Sequence, residues 1–283
     1  MKIDMHVHIL SPDIIQNVEI YKKREAYFKL IHTGPKVRYA TAEDLIAHME
    51  LCGVDRAVVF GFPFTDPGLC RETNDYIIES CKKYKEKLIG FALSSPLDSG
   101  FEQEIARCHD GGLQGVGELI PDAQQYDISD LKQMKSLAFI CRERNLPVLM
   151  HVNEQVGHYY PGKGSTGPDR AYAFAAGNPD LTIIFAHWGG GLFFYELMPE
   201  LKKVLANVYY DTAGSPYLYR PSVYEAARLV GIVHKVLLGS DYPLLPFSRY
   251  LKDMEKTGLS AEDKELISGD NAARVLTVGL CTP

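Results

Sequence analysis

The sequence lacks the features that mark a secreted or membrane-bound protein. Its six cysteines are scattered, and no two of them form a C-x-x-C pair. This argues against a zinc ribbon or a disulfide framework and favours reduced thiols. No apolar run is long enough to span a bilayer, and no cationic segment followed by an apolar stretch marks a signal peptide. We therefore expect a cytoplasmic protein with no membrane partner.

An excess of positive charge is also absent. The chain carries 30 Lys and Arg against 36 Asp and Glu, which gives a formal net charge of −6. A protein that binds nucleic acid usually carries a basic face, and this composition offers none. We expect a small-molecule substrate and no nucleic-acid partner. The sequence is compatible with a homodimer but does not fix the oligomeric state.

Linkers and low-complexity segments are missing as well. The 283 residues match one (β/α)8 TIM barrel, whose usual size is about 250 residues. Two small domains remain an alternative, but no Pro/Gly/Ser-rich stretch separates them. We therefore predict one domain over residues 1–283, with an insertion at about residues 10–40 over the barrel mouth. Ser11-Pro12-Asp13 could open a helix there, and Gly34-Pro35 breaks whatever follows.

After this segment, strands and helices alternate regularly. Thr41-Ala42-Glu43-Asp44 predicts a helix start, and Cys52-Gly53 predicts its end. The predicted strands are 1–8, 54–62, 87–93, 113–119, 146–151, 181–187, 207–211 and 234–241. The predicted helices are 71–85, 100–110, 130–145, 168–177, 192–206, 222–230 and 260–276, the last broken near 269–271, and residues 154–167 are predicted to be a loop. This pattern is typical of a parallel α/β barrel. An open doubly wound sheet also alternates, but no G-x-G-x-x-G motif follows the first strand.

The first strand ends in a His-x-His pair. Alternate side chains of a strand point the same way, so His6 and His8 can reach one cation. Asp4 lies on the same face and could fix a histidine tautomer. The alternative is a pair of surface histidines on an edge strand.

Three further predicted strands end in a ligand-type residue, namely His151, His187 and Asp241. In a (β/α)8 barrel all carboxyl strand ends open on one face, where the active site is built. Taken singly, each histidine could be a hydrogen-bonded core residue, and the aspartate a helix cap. Their joint placement favours a metal site.

These motifs resemble the amidohydrolase superfamily. The resemblance is to its amidohydrolase-related branch, which includes aminocarboxymuconate semialdehyde decarboxylase and the resorcylate-type decarboxylases, and it covers nearly the whole chain. It is carried by Asp4-Met5-His6-Val7-His8, Met150-His151, Ala186-His187-Trp188-Gly189-Gly190-Gly191, Gly239-Ser240-Asp241-Tyr242-Pro243 and Gly269-Asp270-Asn271-Ala272-Ala273-Arg274-Val275-Leu276.

The resemblance implies a divalent metal bound by His6, His8, His151 and Asp241. It makes His187 either a ligand of a second metal or a base beside the bound water, and Asp241 the group that accepts the proton of that water. Imidazole and carboxylate ligands suit zinc, as one or two ions, and manganese or iron is also compatible.

Glu118, at the end of the predicted fourth strand, affects the expected reaction. Two-metal members of the superfamily place a carboxylated lysine or a glutamate there, whereas the decarboxylases have no such bridge. Glu118 therefore favours a metal-dependent hydrolase of a small amide, lactone or ester that uses a metal-activated water. Its alternative role is an ion pair with a barrel Lys or Arg.

Two other functions stay open. One is a non-oxidative decarboxylase of an aromatic or unsaturated carboxylic acid, and the other is a barrel that binds metal without catalysis. For the substrate, the predicted contacts are Tyr160, Tyr217 and Arg220, within a wider set of aromatic and cationic residues that follow the strands and could equally serve in packing or face solvent. The other members of that set are Phe62, Phe64, Tyr159, Lys163 and Tyr219.

Overall fold

The protein is a parallel barrel. The structure, a computed structural model, describes residues 1–34 and 37–278. Its eight strands pair in parallel and neighbour one another in chain order. They are β1 (Ile3–His8), β2 (Arg56–Phe60), β3 (Leu88–Ala92), β4 (Gly115–Leu119), β5 (Val148–Met150), β6 (Ile183–Phe185), β7 (Val208–Asp211) and β8 (Val236–Leu237).

Backbone hydrogen bonds bring the first and last strands together. Met5 N donates to Leu238 O at 2.9 Å, and His8 N donates to Tyr242 O at 2.8 Å. Asp241 N donates to His6 O at 2.9 Å, so the segment after β8 runs beside β1. The predicted (β/α)8 TIM-barrel class is confirmed, and this arrangement places the last predicted ligand next to the first.

Helices connect the strands. They are α1 (Pro12–Gln16), α2 (Val18–Arg24), α3 (Ala26–Ile31), α4 (Ala42–Cys52), α5 (Pro67–Lys83), α6 (Phe101–Asp110), α7 (Pro121–Gln124), α8 (Lys135–Glu143), α9 (Pro168–Gly177), α10 (Leu201–Val204), α11 (Ser215–Leu218), α12 (Ser222–Val230), α13 (Phe247–Met254), α14 (Ala261–Glu265) and α15 (Asn271–Val278). Apolar side chains of strands and helices form one continuous buried cluster, which is the core expected of this fold.

The predicted boundaries of α4 follow local capping chemistry. Thr41 caps α4 with a capping box, in which its hydroxyl accepts from Asp44 N while the Asp44 carboxylate accepts from Thr41 N. Gly53 ends the same helix in the left-handed conformation, with φ 65°. A wide π-helical turn over Leu266–Asp270 separates α14 from α15, close to the predicted break.

The predicted helix over 192–206 is confirmed only over α10. Trp188 and the three glycines after it have φ between 60° and 99°, and residues 187–197 form 3-10 turns around them. The left-handed run precedes residue 192, the 3-10 segment that contains it continues to Leu197, and only α10 is α-helical within 192–206. The sequence prediction also missed α7, α11 and α13, and it drew β8 longer than the ladder of Val236 and Leu237.

Residues 10–34 contain three short helices and pack against the loop that follows β2. Glu25 is buried, and its carboxylate accepts from Thr65 N at 3.0 Å and Asp66 N at 3.1 Å. Phe28 packs on Phe62, with ring centroids 5.0 Å apart. The predicted break at Gly34-Pro35 falls partly outside the described residues. The assignment of an insertion within a single domain stays a prediction.

The described cysteines are unpaired, and the helices are short or polar. Cys52, Cys70, Cys81, Cys108 and Cys141 are free thiols, while Cys281 lies outside the described residues. Among the helices of residues 1–34 and 37–278, none is long and apolar enough to cross a bilayer.

Candidate metal centre and active site

The six predicted metal ligands lie together at the carboxyl end of the barrel. They form two sets, each with its ligand atoms within 4.8 Å of one another, and no ion is present in the structure. The first set is His6, His8 and Asp241. The second is Glu118, His151 and His187. The strand ends therefore bring together every ligand candidate that the sequence predicted.

Glu118 lies between the two sets and presents one carboxylate oxygen to each. Its Oε2 is 3.5 Å from His6 Nε2 and 3.4 Å from His8 Nε2. Its Oε1 is 2.8 Å from His151 Nδ1 and 3.5 Å from His187 Nε2. The expected alternative, an ion pair with a barrel Lys or Arg, is absent from the described part of the chain, where every ionic partner of Glu118 is a histidine.

Three of the histidines have tautomers fixed by groups that only accept hydrogen bonds. His6 Nδ1 lies 2.8 Å from Asp211 Oδ2, His8 Nδ1 lies 2.9 Å from Gly61 O, and His187 Nδ1 lies 2.8 Å from Ala213 O. Each Nδ1 therefore carries the hydrogen, and in the neutral ring each Nε2 presents a lone pair.

The Nε2 lone pairs of His6 and His8 face one another. His6 Nε2 and His8 Nε2 are 3.2 Å apart, and Asp241 Oδ1 lies 3.7 Å and 3.5 Å from them. Two nitrogen lone pairs and a carboxylate at this spacing repel one another unless protons or a cation lie between them. The donor set fits a divalent metal, because neutral imidazoles held by their other nitrogen are the usual first-row metal ligands.

The second set is less completely fixed. His151 Nδ1 lies 2.8 Å from Glu118 Oε1 and 3.0 Å from His187 Nε2. His151 Nε2 is buried and has no hydrogen-bond partner among the described residues, so the only side-chain partners of this ring meet its Nδ1 atom.

Glu118 and the histidines around it shift one another's pKa values. Burial alone would raise the pKa of Glu118, but the charges of His6 and His151 outweigh it and hold that pKa well below its usual range. Burial alone would lower the pKa of His187, but the hydrogen bond to Glu118 and its charge raise it to about 9. Histidine binds metal in its neutral form, so metal binding by these rings depends on pH.

Asp211, the last residue of β7, is a functional candidate that the sequence analysis missed. Besides its contact with the His6 ring, its Oδ1 accepts from His187 N at 3.0 Å and from Ala213 N at 2.9 Å. It therefore orients ligands of both sets. A carboxylate at the end of a predicted strand was the available signal.

Asp4 does not have the predicted role of fixing a histidine tautomer. Its carboxylate accepts from the Ser240 hydroxyl at 2.5 Å, from Ser240 N at 2.8 Å and from His6 N at 3.3 Å, and it does not contact an imidazole. Burial raises the pKa of Asp4 to about 7, against the opposing effect of these hydrogen bonds. Asp4 instead joins the start of the barrel to the loop that carries Asp241.

Two of the candidate ligands adopt left-handed backbone conformations. His187 has φ 57° and Asp241 has φ 59°, a region that residues other than glycine seldom occupy. The Asp241 conformation is held by its bond to His6 O and by Leu244 N, which donates to Asp241 O at 2.8 Å. Such strain is typical of functional sites, where the surrounding structure fixes an unfavourable conformation to aim a side chain.

A cavity of about 490 Å³ opens above the ligands and is lined by His8, Glu118, His151, His187 and Asp241. Its other walls come largely from residues 27–32 and 37–40 and from the loops after the strands, and they are mostly apolar. They include Leu10, Tyr27, Ile31, His32, Phe62, Ile120, Asn153, Tyr160 and Leu218. This volume is within the usual range for a small-molecule site.

The predicted substrate contacts are partly misplaced. Tyr160 and Tyr217 line the cavity, but Arg220 is exposed and does not belong to its walls. The arginine among the lining residues is Arg38, which lies in a segment whose sequence has no regular pattern to predict its position. Tyr160 donates from its hydroxyl to Glu154 Oε2 at 3.0 Å.

Of the other aromatic and cationic residues predicted to contact the substrate, only some line the cavity. Phe62 lines the cavity, whereas Phe64 is fully buried in the core beside it. Tyr159 is exposed, and Lys163 is held by Glu154 at 3.2 Å and by backbone carbonyls of its own loop. Neither Lys163 nor Tyr219 belongs to the cavity walls.

The fold and the ligand sets define a class, a (β/α)8-barrel enzyme with a histidine and carboxylate metal site at its strand ends. An amidohydrolase family model matches residues 3–278, so the chain belongs to the amidohydrolase family. A search of curated proteins finds no match.

Solved structures similar to this chain include enzymes of known reaction. One is 5-carboxyvanillate decarboxylase of Novosphingobium aromaticivorans, complexed with manganese, at 17% identity, 98% and 96% coverage of the two chains and a TM-score of 0.77. Another is 2,6-dihydroxybenzoate decarboxylase of Rhizobium, at 17% identity, 98% coverage of both chains and a TM-score of 0.69. A Staphylococcus aureus protein assigned to the amidohydrolases has 18% identity, 97% and 99% coverage and a TM-score of 0.71. At these identities the likeness shows the fold alone.

Proposed function

We propose that the protein is a metal-dependent hydrolase of a small amide, lactone or ester, with two divalent ions, most simply zinc, bridged by Glu118. The observation that carries the proposal is the division of the Glu118 carboxylate between the two histidine sets, at 3.4–3.5 Å on one side and 2.8–3.5 Å on the other. A carboxylate with one oxygen facing each ligand set is suited to bridging two ions.

The residues that would hold the ions follow from the two sets. His6, His8 and Asp241 would hold one ion, His151 and His187 the other, and Glu118 both. Bound there, divalent metals polarise a substrate carbonyl and lower the pKa of coordinated water to about 7.

Asp241 supplies the proton acceptor in this proposal. Its Oδ1 faces His6 and His8, while its Oδ2 has no hydrogen-bond partner among the described residues and the side chain lines the cavity. The Oδ2 atom can therefore take a proton from the attacking water and return it to the leaving group. His187 is oriented by Ala213 O and Asp211, and it would act through its Nε2.

A second candidate is a metal-dependent decarboxylase of an aromatic or unsaturated carboxylic acid. The similar structures named above support this reaction more directly than hydrolysis, and Arg38 in the cavity wall offers a cation for a substrate carboxylate. In this case one metal would orient the acid, and Glu118 would not be needed as a bridge.

A substrate panel tests the two reactions against each other. Protein loaded with zinc or with manganese is assayed on lactones, simple amides and aryl esters, and on hydroxybenzoic acids. Ring opening or acid release supports the hydrolase proposal. Release of carbon dioxide from a hydroxybenzoate, with no turnover of any lactone, amide or ester, would replace it with the second candidate.

A further inference from the structure

We infer that His32 is a specificity-determining residue that accepts a hydrogen bond from a hydroxyl or N–H group of the substrate. The inference rests on the proposed function only in taking the cavity as the substrate pocket, and not on the reaction. It restricts the substrate to a small, largely apolar molecule that carries a neutral hydrogen-bond donor apart from the reacting bond.

The tautomer of His32 is fixed by the backbone. His32 follows α3, and its Nδ1 lies 2.9 Å from Phe28 O. A carbonyl oxygen only accepts, so Nδ1 carries the hydrogen and Nε2 carries the lone pair. The side chain lines the cavity, and Nε2 has no hydrogen-bond partner among residues 1–34 and 37–278. The cavity wall thus contains a fixed acceptor that the described protein leaves unused.

The surroundings keep this ring neutral. Its centroid is 4.1 Å from that of Phe28, 5.3 Å from Tyr39 and 5.7 Å from Phe62. Burial among these rings lowers the pKa of His32 to about 4, and the charges of His8 and Lys22 act in the same direction. At neutral pH the ring therefore accepts a hydrogen bond and offers no positive charge to a carboxylate.

The neighbouring wall makes the acceptor selective. Ile31, Phe62 and Leu10 line the cavity with His32 and offer no side-chain hydrogen-bond donor, and the hydroxyl of the neighbouring Tyr39 makes no hydrogen bond to Nε2. A ligand without a donor would remove water from Nε2 and leave the acceptor unpaired, which weakens binding. Sites built around a hydrogen bond reject analogues that lack it for this reason. We expect a preference of about 10-fold for a ligand with a donor.

The test uses ligands that neither candidate reaction can consume. The zinc-loaded full chain is titrated with 3- and 4-hydroxyacetophenone and with their methyl ethers, and dissociation constants are measured by calorimetry. At least one hydroxy ketone should bind about 10-fold more tightly than its ether. The ¹⁵N resonance of His32 Nε2 should shift with that ketone and not with its ether.

Two variants assign the preference to its residue. His32→Phe keeps an aromatic ring and should abolish the preference. His158→Phe is the control, since His158 lines the same cavity from the loop before α9, and it should leave the preference intact. Equal binding of both members of each pair, no binding of any probe, or a preference retained in His32→Phe would overturn the inference. If His32→Phe does not fold, the ¹⁵N shift in the unmodified protein decides. Because the ketones are inert, neither result depends on the reaction class.

Discussion

His6 Nδ1 lies 2.8 Å from Asp211 Oδ2, and both residues are fully buried. The pair joins the first strand of the barrel to the seventh. It explains why the metal-facing nitrogen of His6 is Nε2, since a carboxylate can only accept the Nδ1 hydrogen.

Substitution of Asp211 tests this relationship. In Asp211→Asn the amide can donate to His6 Nδ1, which would move the ring hydrogen to Nε2 and occupy the ligand position. Loss of such a partner typically lowers metal affinity by about 10–100-fold. Zinc affinity is measured by competition with a chromogenic chelator. Asp122→Asn is the matched control, because Asp122 bonds Ser165 and Thr166 and no ligand. Equal zinc affinity of Asp211→Asn and the unmodified chain would refute this role.

Removal of metal should lower thermal stability. The two ligand sets are built from residues far apart in the chain, so metal binds the folded state and hardly the unfolded one. At a free zinc concentration about 1,000 times the dissociation constant, binding adds about 4 kcal/mol to the free energy of unfolding. The melting temperature should fall on dialysis against a chelator and recover when zinc or manganese is added. A melting temperature that neither treatment changes, in protein with only trace metal, would contradict the metal site.

A buried ion pair away from the site should matter for stability. Lys235 Nζ lies 2.6 Å from Glu196 Oε2, and Tyr210 donates to the other oxygen of the same carboxylate. Lys235→Met leaves the carboxylate buried without its cation and should cost about 3–5 kcal/mol in urea unfolding. Lys202→Met, on the nearby helix α10, is the control and should have little effect. A loss below about 1 kcal/mol for Lys235→Met would show that Glu196 finds another partner or a proton.

The packing of residues 10–34 on the barrel predicts a third stability effect. Phe28 is fully buried between Phe62 and Phe64, so Phe28→Ala should cost about 3–5 kcal/mol if this segment unfolds with the barrel. Phe139 on α8 is half exposed, and Phe139→Ala should change stability much less. A separate early transition in Phe28→Ala would show instead that the segment unfolds on its own.

The site residues that could be predicted from the sequence are those where a histidine or carboxylate lies at the end of a predicted strand. His6, His8, His151, His187, Glu118 and Asp241 each end a strand or lie beside its end, and the parallel barrel alone brings such positions together. Asp211 had the same signal and was missed, because a lone carboxylate after a strand is equally typical of a helix cap.

The cavity walls were harder to predict. The positions of His32 and Arg38 depend on how residues 10–34 and 37–40 fold back over the strand ends, through contacts such as that of Glu25 with Thr65. These contacts join residues with no periodic relation in the sequence. The left-handed run after His187 was not predicted for a related reason, since Trp188 is held by a tertiary contact of its Nε1 with the Ser215 hydroxyl.

The central claim is that Glu118 bridges two metal ions, and metal stoichiometry tests it most directly. Elemental analysis after saturation with zinc and removal of free metal should give about two ions per chain. Glu118→Gln should give about one, because a neutral amide bridges two cations poorly. Glu154 is a carboxylate at the same end of the barrel and pairs with Lys163, so Glu154→Gln should still bind two ions per chain. A single ion in the unmodified protein, unchanged in Glu118→Gln, would contradict the bridge and leave the one-metal decarboxylase as the better proposal.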